Sequence, residues 1–203
     1  MNFRPAQIIS VIFHPLLVPT YALLVLTNLH SHFFLSMPPV YKYMVTAFVF
    51  LITFVMPALI LLILRKFNVI KSLEMPERQE RVMPLIMVAV FFYLAYYLLK
   101  QSEQNTIITL FMIGATMLVL FCLIINYFTK ISIHATSWGG FLGALLGFSL
   151  RFQVDLVVWI SVVLLVAGMV GTARLLLKVH TPAQVYNGFL LGILSQMLLF
   201  YFV

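Results

Sequence analysis

A chain of 203 residues that is 64% hydrophobic and 8% charged, with a mean hydropathy of +1.12, is not an ordinary soluble domain, whose core could not absorb so many apolar side chains. Its net charge of +7 comes from cations lying between apolar runs, so it points to phosphates of lipid headgroups or of a substrate rather than to nucleic acid. The single Cys122 can form no intramolecular disulfide and is silent on redox compartment.

A helix needs about 20 apolar residues to cross the hydrocarbon core. That ruler marks segments at residues 8–28, 41–64, 84–99, 106–128, 134–150, 156–178 and 182–203. The third and fifth are short. The expected fold is therefore all-α, a polytopic membrane bundle of six or seven transmembrane helices forming one integral membrane domain over 1–203. Within it, two N-terminal helices over about 8–64 precede a core over about 66–203. The first segment follows Arg4 and is interrupted by His14-Pro15 and Pro19, with no small-residue cleavage site, so it reads as a spanning segment rather than a removed leader. His14 reads as part of a proline kink. The short link at 151–155 implies antiparallel neighbours.

Two crossings separate the polar loop at 65–83 from the segment at His134, and two more separate His134 from His180. By this parity all three polar stretches lie on one face of the membrane. The loop reads RKFNVIKSLEMPERQERVMP and holds Arg65, Lys66, Lys71, Arg78 and Arg81 among Glu74, Glu77 and Glu80. Taken alone it is a solvated interfacial helix with ion pairs such as Glu77 with Arg81. The second stretch, KISIHATSWGGFLGALLG, puts Ser132 at an N-cap and His134 in the first helical turn, where free N–H groups and a partial positive charge suit a phosphate. Gly139, Gly143 and Gly147 recur every fourth residue, and Gly188 and Gly192 repeat the spacing, a pattern that lets membrane helices approach closely.

The third stretch, GTARLLLKVHTPAQVYNGFLLG, ends one apolar helix and starts the next. Thr181, Pro182 and Gln184 form a capping box, with threonine as cap, proline at the first helical position and glutamine three residues after the cap. The box leaves Arg174, Lys178 and His180 unexplained, and ionisable groups at such a break mark a functional site. Asn126 and Gln196 read as interhelical hydrogen-bond partners. No zinc-type histidine spacing or carboxylate pair is present, so neither metal nor cofactor is expected.

These stretches resemble the type-2 phosphatidic-acid phosphatase superfamily, whose signature is K-x6-R-P, then P-S-G-H, then S-R-x5-H-x3-D. Lys71 and Arg78 match the first motif, with Gln79 in place of proline. Ser132 and His134 match the second, with Ile131 and Ile133 for proline and glycine. Arg174 and His180 match the third, with Ala173 for serine and Gln184 for aspartate. The resemblance implies a metal-free phosphatase of a bacterial-type inner (plasma) membrane, acting on a lipid or polyprenyl phosphate or pyrophosphate. It makes His180 the nucleophile, His134 the acid for the leaving group, and Gln184 the group beside His180. Lys71, Arg78, Arg174 and Ser132 would bind the phosphate, with Arg81, Lys178 and Glu77 in support. The alternative on the same fold is a lipid-phosphate binding or transport protein without turnover.

Overall fold

The computed structural model describes residues 4–72, 75, 77–102 and 106–202; Glu74 of the polar loop and Val203 of the last segment lie outside them. The helices are α1 (Arg4–Ile12), α2 (Val18–Leu26), α3 (His32–Leu35), α4 (Pro39–Phe50), α5 (Met56–Lys66), α6 (Val82–Gln101), α7 (Thr106–Phe128), α8 (Ile133–Phe152), α9 (Val157–Leu176) and α10 (Pro182–Phe202). Short 3-10 turns lie at Pro15–Leu17 and Gln79–Arg81, and a π turn at Leu51–Val55 joins α4 to α5. Among the described residues there is no strand. Among the described residues, six stretches are long and apolar enough to cross a membrane: Arg4–Leu26, Pro39–Lys66, Gln79–Gln101, Thr106–Phe128, Val157–Leu176 and Pro182–Phe202. The protein is an all-α, multi-pass membrane bundle.

The fifth expected segment is helix α8, yet it is not among the six apolar stretches. Its composition explains the difference. His134, Thr136, Ser137 and a run of glycines lower its hydropathy, and twelve of its residues, Ala135 to Phe148, are buried. It is the inner helix that its neighbours surround, so it presents little surface that must resemble lipid.

The chain forms two compact units, Met1–Val18 with Lys130–Val203, and Pro19–Thr129. The first unit is built on α8 and α10, which run parallel. A Cβ on Gly139 would land on the Phe189 carbonyl, one on Gly143 on the Ile193 carbonyl, and one on Gly147 2.6 Å from the Met197 oxygen. From the other side, a Cβ on Gly192 would meet the Thr136 carbonyl, and one on Gly188 the Thr136 hydroxyl at 2.8 Å. Both partners rise together by four, so the helices share direction and touch backbone to backbone, as the two glycine stripes require. Their N-terminal ends are tied directly, the Ser132 N–H donating to the Gln184 carbonyl at 3.2 Å.

Helix α9 connects them along the chain, running antiparallel to both. Gln153 leaves α8 in the left-handed region (φ 54), and the Asp155 carboxylate accepts the Val157 N–H at 3.0 Å to start α9. The Ser149 hydroxyl closes the link by donating to the Val154 carbonyl at 2.7 Å. At its far end α9 stops with Lys178 left-handed (φ 54). Helix α1 packs on α9, and the Pro15–Leu17 turn packs on α8.

In the second unit α6 and α7 form an antiparallel pair, and the π turn packs on α6. The Arg78 guanidinium, just ahead of α6, donates to the Phe128 carbonyl at 2.5 Å and the Tyr127 carbonyl at 3.4 Å. The Asn126 amide returns a bond to the Arg78 carbonyl at 2.9 Å. The last carbonyls of α7, which have no intrahelical donors, are thereby satisfied.

Candidate functional site

The first unit brings the second and third polar stretches together at one end of the α8–α10 pair. The capping box forms as its residues dictate. Thr181 Oγ1 accepts the Gln184 N–H at 3.4 Å, and Gln184 Oε1 accepts the Thr181 N–H at 3.2 Å. The same Oε1 lies 3.1 Å from His180 Nδ1. An oxygen facing a backbone N–H accepts, which fixes the amide orientation and makes His180 Nδ1 the protonated nitrogen. In neutral His180, Nε2 therefore carries the lone pair. His180 itself is 9% exposed.

His134 is held from α1. That helix ends at Ile12, where the Phe13 N–H still reaches Ile9. The next donors turn away: His14 is extended (φ −64, ψ 140), and Pro15 has no N–H. Side chains of α8 occupy the carbonyls of this last turn. His134 Nε2 donates to the Ser10 carbonyl at 3.1 Å, and Trp138 Nε1 donates to the Phe13 carbonyl at 3.1 Å. His134 and Trp138 are four residues apart and share a face of α8, as Ser10 and Phe13 nearly share one of α1. The Ser10 hydroxyl also accepts from Arg174 Nη1 at 3.2 Å. The His14 ring stands edge-on to His134, with centroids 5.5 Å apart and planes at 78°, and its Nδ1 accepts the Leu16 N–H at 3.3 Å. Arg174, His14 and His180 all act electrostatically on His134. Lys130 adds an ammonium by donating to the Val179 carbonyl at 3.3 Å.

The ensemble is three imidazoles, a guanidinium and an ammonium without a carboxylate. The acidic residue in this unit's sequence is Asp155, beyond the far end of α8, about 30 Å away at 1.5 Å per residue. Such a cluster attracts an anion. Among the described residues no three His, Cys, Asp or Glu side chains come together as a metal-ligand set.

The remaining candidates fall as follows. Ser132 is fully buried and caps α8, its Oγ accepting the Ala135 N–H at 3.4 Å while its carbonyl packs at Gly188. Lys178 is exposed at the left-handed end of α9. Lys71, Arg78, Arg81 and Glu77 belong to the second unit. Lys71 pairs with Glu77 at 3.0 Å and approaches Glu80 at 3.9 Å. The Glu77 hydrogen bond and the two carboxylate charges push the Lys71 ammonium above its usual range. Arg81 is buried and donates from Nε to the Met75 carbonyl at 2.9 Å. The described residues of the loop thus form bends and a 3-10 turn rather than an interfacial helix, with Arg78 and Arg81 bonding backbone carbonyls. Asn126 bonds the loop backbone as described, whereas Gln196 is buried in α10 with Oε1 unpartnered. In the sequence Ser10 stands out by nothing and His14 reads as a kink residue; the structure gives both a place beside His134. The signal was the break at His14-Pro15, which frees carbonyls in the last turn of α1.

Comparison with family models, with curated proteins and with solved structures finds no match.

Proposed function

We propose that this protein is a metal-independent phosphohydrolase of a bacterial-type inner membrane that removes phosphate from a lipid or polyprenyl phosphate or pyrophosphate. The observation that carries this reading is the His180 imidazole, held through Nδ1 by Gln184 so that Nε2 carries the lone pair, in one cluster with His134 and Arg174. In the proposed reaction His180 Nε2 forms a bond to phosphorus as the bond to the leaving oxygen breaks. Protonated His134 gives that oxygen its proton. Water then attacks the phosphohistidine, His134 takes the water's proton, and inorganic phosphate leaves with His180 restored. Arg174 stabilises the charge on the equatorial oxygens, which is most of what phosphoryl transfer asks of a protein. Two histidines divide nucleophile and acid roles near neutral pH. A site at the end of a membrane-spanning bundle suits a substrate whose tail stays in the bilayer.

The second reading, a lipid-phosphate binder without turnover, has its own support. Gln184 orients His180 but brings no negative charge to stabilise an imidazolium, as a carboxylate would. Lys71 and Arg78, which the resemblance assigns to phosphate, are engaged by Glu77 and by the α7 carbonyls. Phosphate release by purified protein in EDTA separates the two. The panel is phosphatidic acid, phosphatidylglycerol phosphate and undecaprenyl pyrophosphate, with His180→Ala and Gln184→Asp beside the wild type. Release that His180→Ala abolishes supports the hydrolase. A silent wild type revived by Gln184→Asp supports the binder.

A further inference from the structure

We infer that Ser10 is a positioning residue of the phosphoryl site, one that sets the Arg174 guanidinium through its hydroxyl and the His134 ring through its carbonyl, so that His134 exchanges its proton at Nδ1. The inference rests on reading the cluster as a phosphate site, and it extends that site to α1, which none of the three motifs includes.

Ser10 is 7% exposed and makes both contacts from one residue, at 3.2 Å to Arg174 Nη1 and 3.1 Å to His134 Nε2. A carbonyl only accepts, so His134 Nε2 keeps its proton while bonded there. The labile proton of the imidazolium is then the one on Nδ1. His134 and His180 thus present opposite nitrogens, Nδ1 from the first and Nε2 from the second, each with its other nitrogen held by an oxygen. The Ser10 carbonyl lies in the last turn of α1, at the negative end of its helix dipole. His14 closes the other side of the ring edge-on, so His134 is bounded by α1 and the turn that follows it.

The test is orthovanadate affinity, measured by titration of detergent-purified protein, with melting temperature recorded for each variant. Ser10→Ala removes the hydroxyl and keeps the carbonyl; Ser10→Thr keeps both. Losing a hydrogen bond to a charged group is expected to weaken orthovanadate binding about tenfold in Ser10→Ala, with melting unchanged. Ser10→Thr should bind within about threefold of the wild type, by the same reasoning. Nitrogen NMR of 15N-histidine-labelled protein, with His134 identified by its loss in His134→Gln, should show neutral His134 protonated at Nε2 in wild type and in Ser10→Ala alike. Wild-type affinity in Ser10→Ala, or a neutral His134 protonated at Nδ1, overturns the inference alone. A wild type that does not bind orthovanadate overturns the phosphate-site reading and the inference with it.

Discussion

Gly143→Ala and Gly168→Ala make the same chemical change in two membrane helices, and the structure assigns them opposite outcomes. A Cβ on Gly143 would fall on the Ile193 carbonyl oxygen, 2.8 Å from its Cα and 2.9 Å from its carbonyl carbon. All three are backbone atoms, so no side chain can swing aside, and α10 must move out by about 1 Å to bring the oxygen to ordinary contact. A gap of 0.5–1 Å forfeits roughly a quarter to a half of the dispersion energy along the seam. Overpacking of this kind costs about 1–3 kcal/mol. At Gly168 nothing lies within 4 Å, so alanine brings only its helix preference, about 0.5–1 kcal/mol of gain. The two variants should therefore differ by roughly 3 kcal/mol, which is about 6–12 °C in melting for a chain of this size. The assay is thermal unfolding in detergent, read by intrinsic fluorescence with orthovanadate titrated in parallel. Gly143→Ala should also lose orthovanadate, because separating α8 from α10 separates the ends that carry His134 and His180. Equal melting of the two variants would refute backbone contact as the glue of the first unit.

Replacing Trp138 by Phe removes the indole donor to the Phe13 carbonyl and should cost about 1–2 kcal/mol in a urea or thermal titration. Gln184→Glu keeps the reach to His180 Nδ1 and adds a charge. An opposite charge favours the imidazolium and raises its pKa, so the acid limb of the pH–rate profile should move to higher pH; an unmoved limb contradicts the His180–Gln184 contact. Arg78→Ala strips the donors from the Tyr127 and Phe128 carbonyls and should lower stability by about 1–3 kcal/mol, whereas Lys71→Gln, at an exposed ion pair, should leave melting within experimental scatter. Lys178→Gly relieves a left-handed backbone and should raise stability by up to about 1 kcal/mol; destabilisation would show that its side chain is used.

Much of this architecture was legible because it follows from local rules. The capping box at Thr181, Pro182 and Gln184 forms with the bonds its residue types imply. The glycine stripes named the closest pair of helices, and counting crossings put His134 and His180 at the same end. What was not legible depends on tertiary partners for backbone groups. Nothing in the residues around Ser10 says that its carbonyl will meet His134, or that Trp138 will reach Phe13 from the next position on that face. A proline break announces orphan carbonyls but not their recipients. Composition did mark α8, as the segment at 134–150, but its small and polar residues kept its inner position from showing in the pattern. The π turn at Leu51–Val55 is followed by Pro57, whose missing N–H marks a disturbance in the helix but not its π form.

Phosphate release from a lipid phosphate in EDTA, by wild type and His180→Ala side by side, tests the central claim most directly. The account expects release that EDTA leaves intact and that His180→Ala lowers by about 10³-fold or more, as removing a nucleophile does. Release that persists in His180→Ala, or that EDTA abolishes, would contradict it.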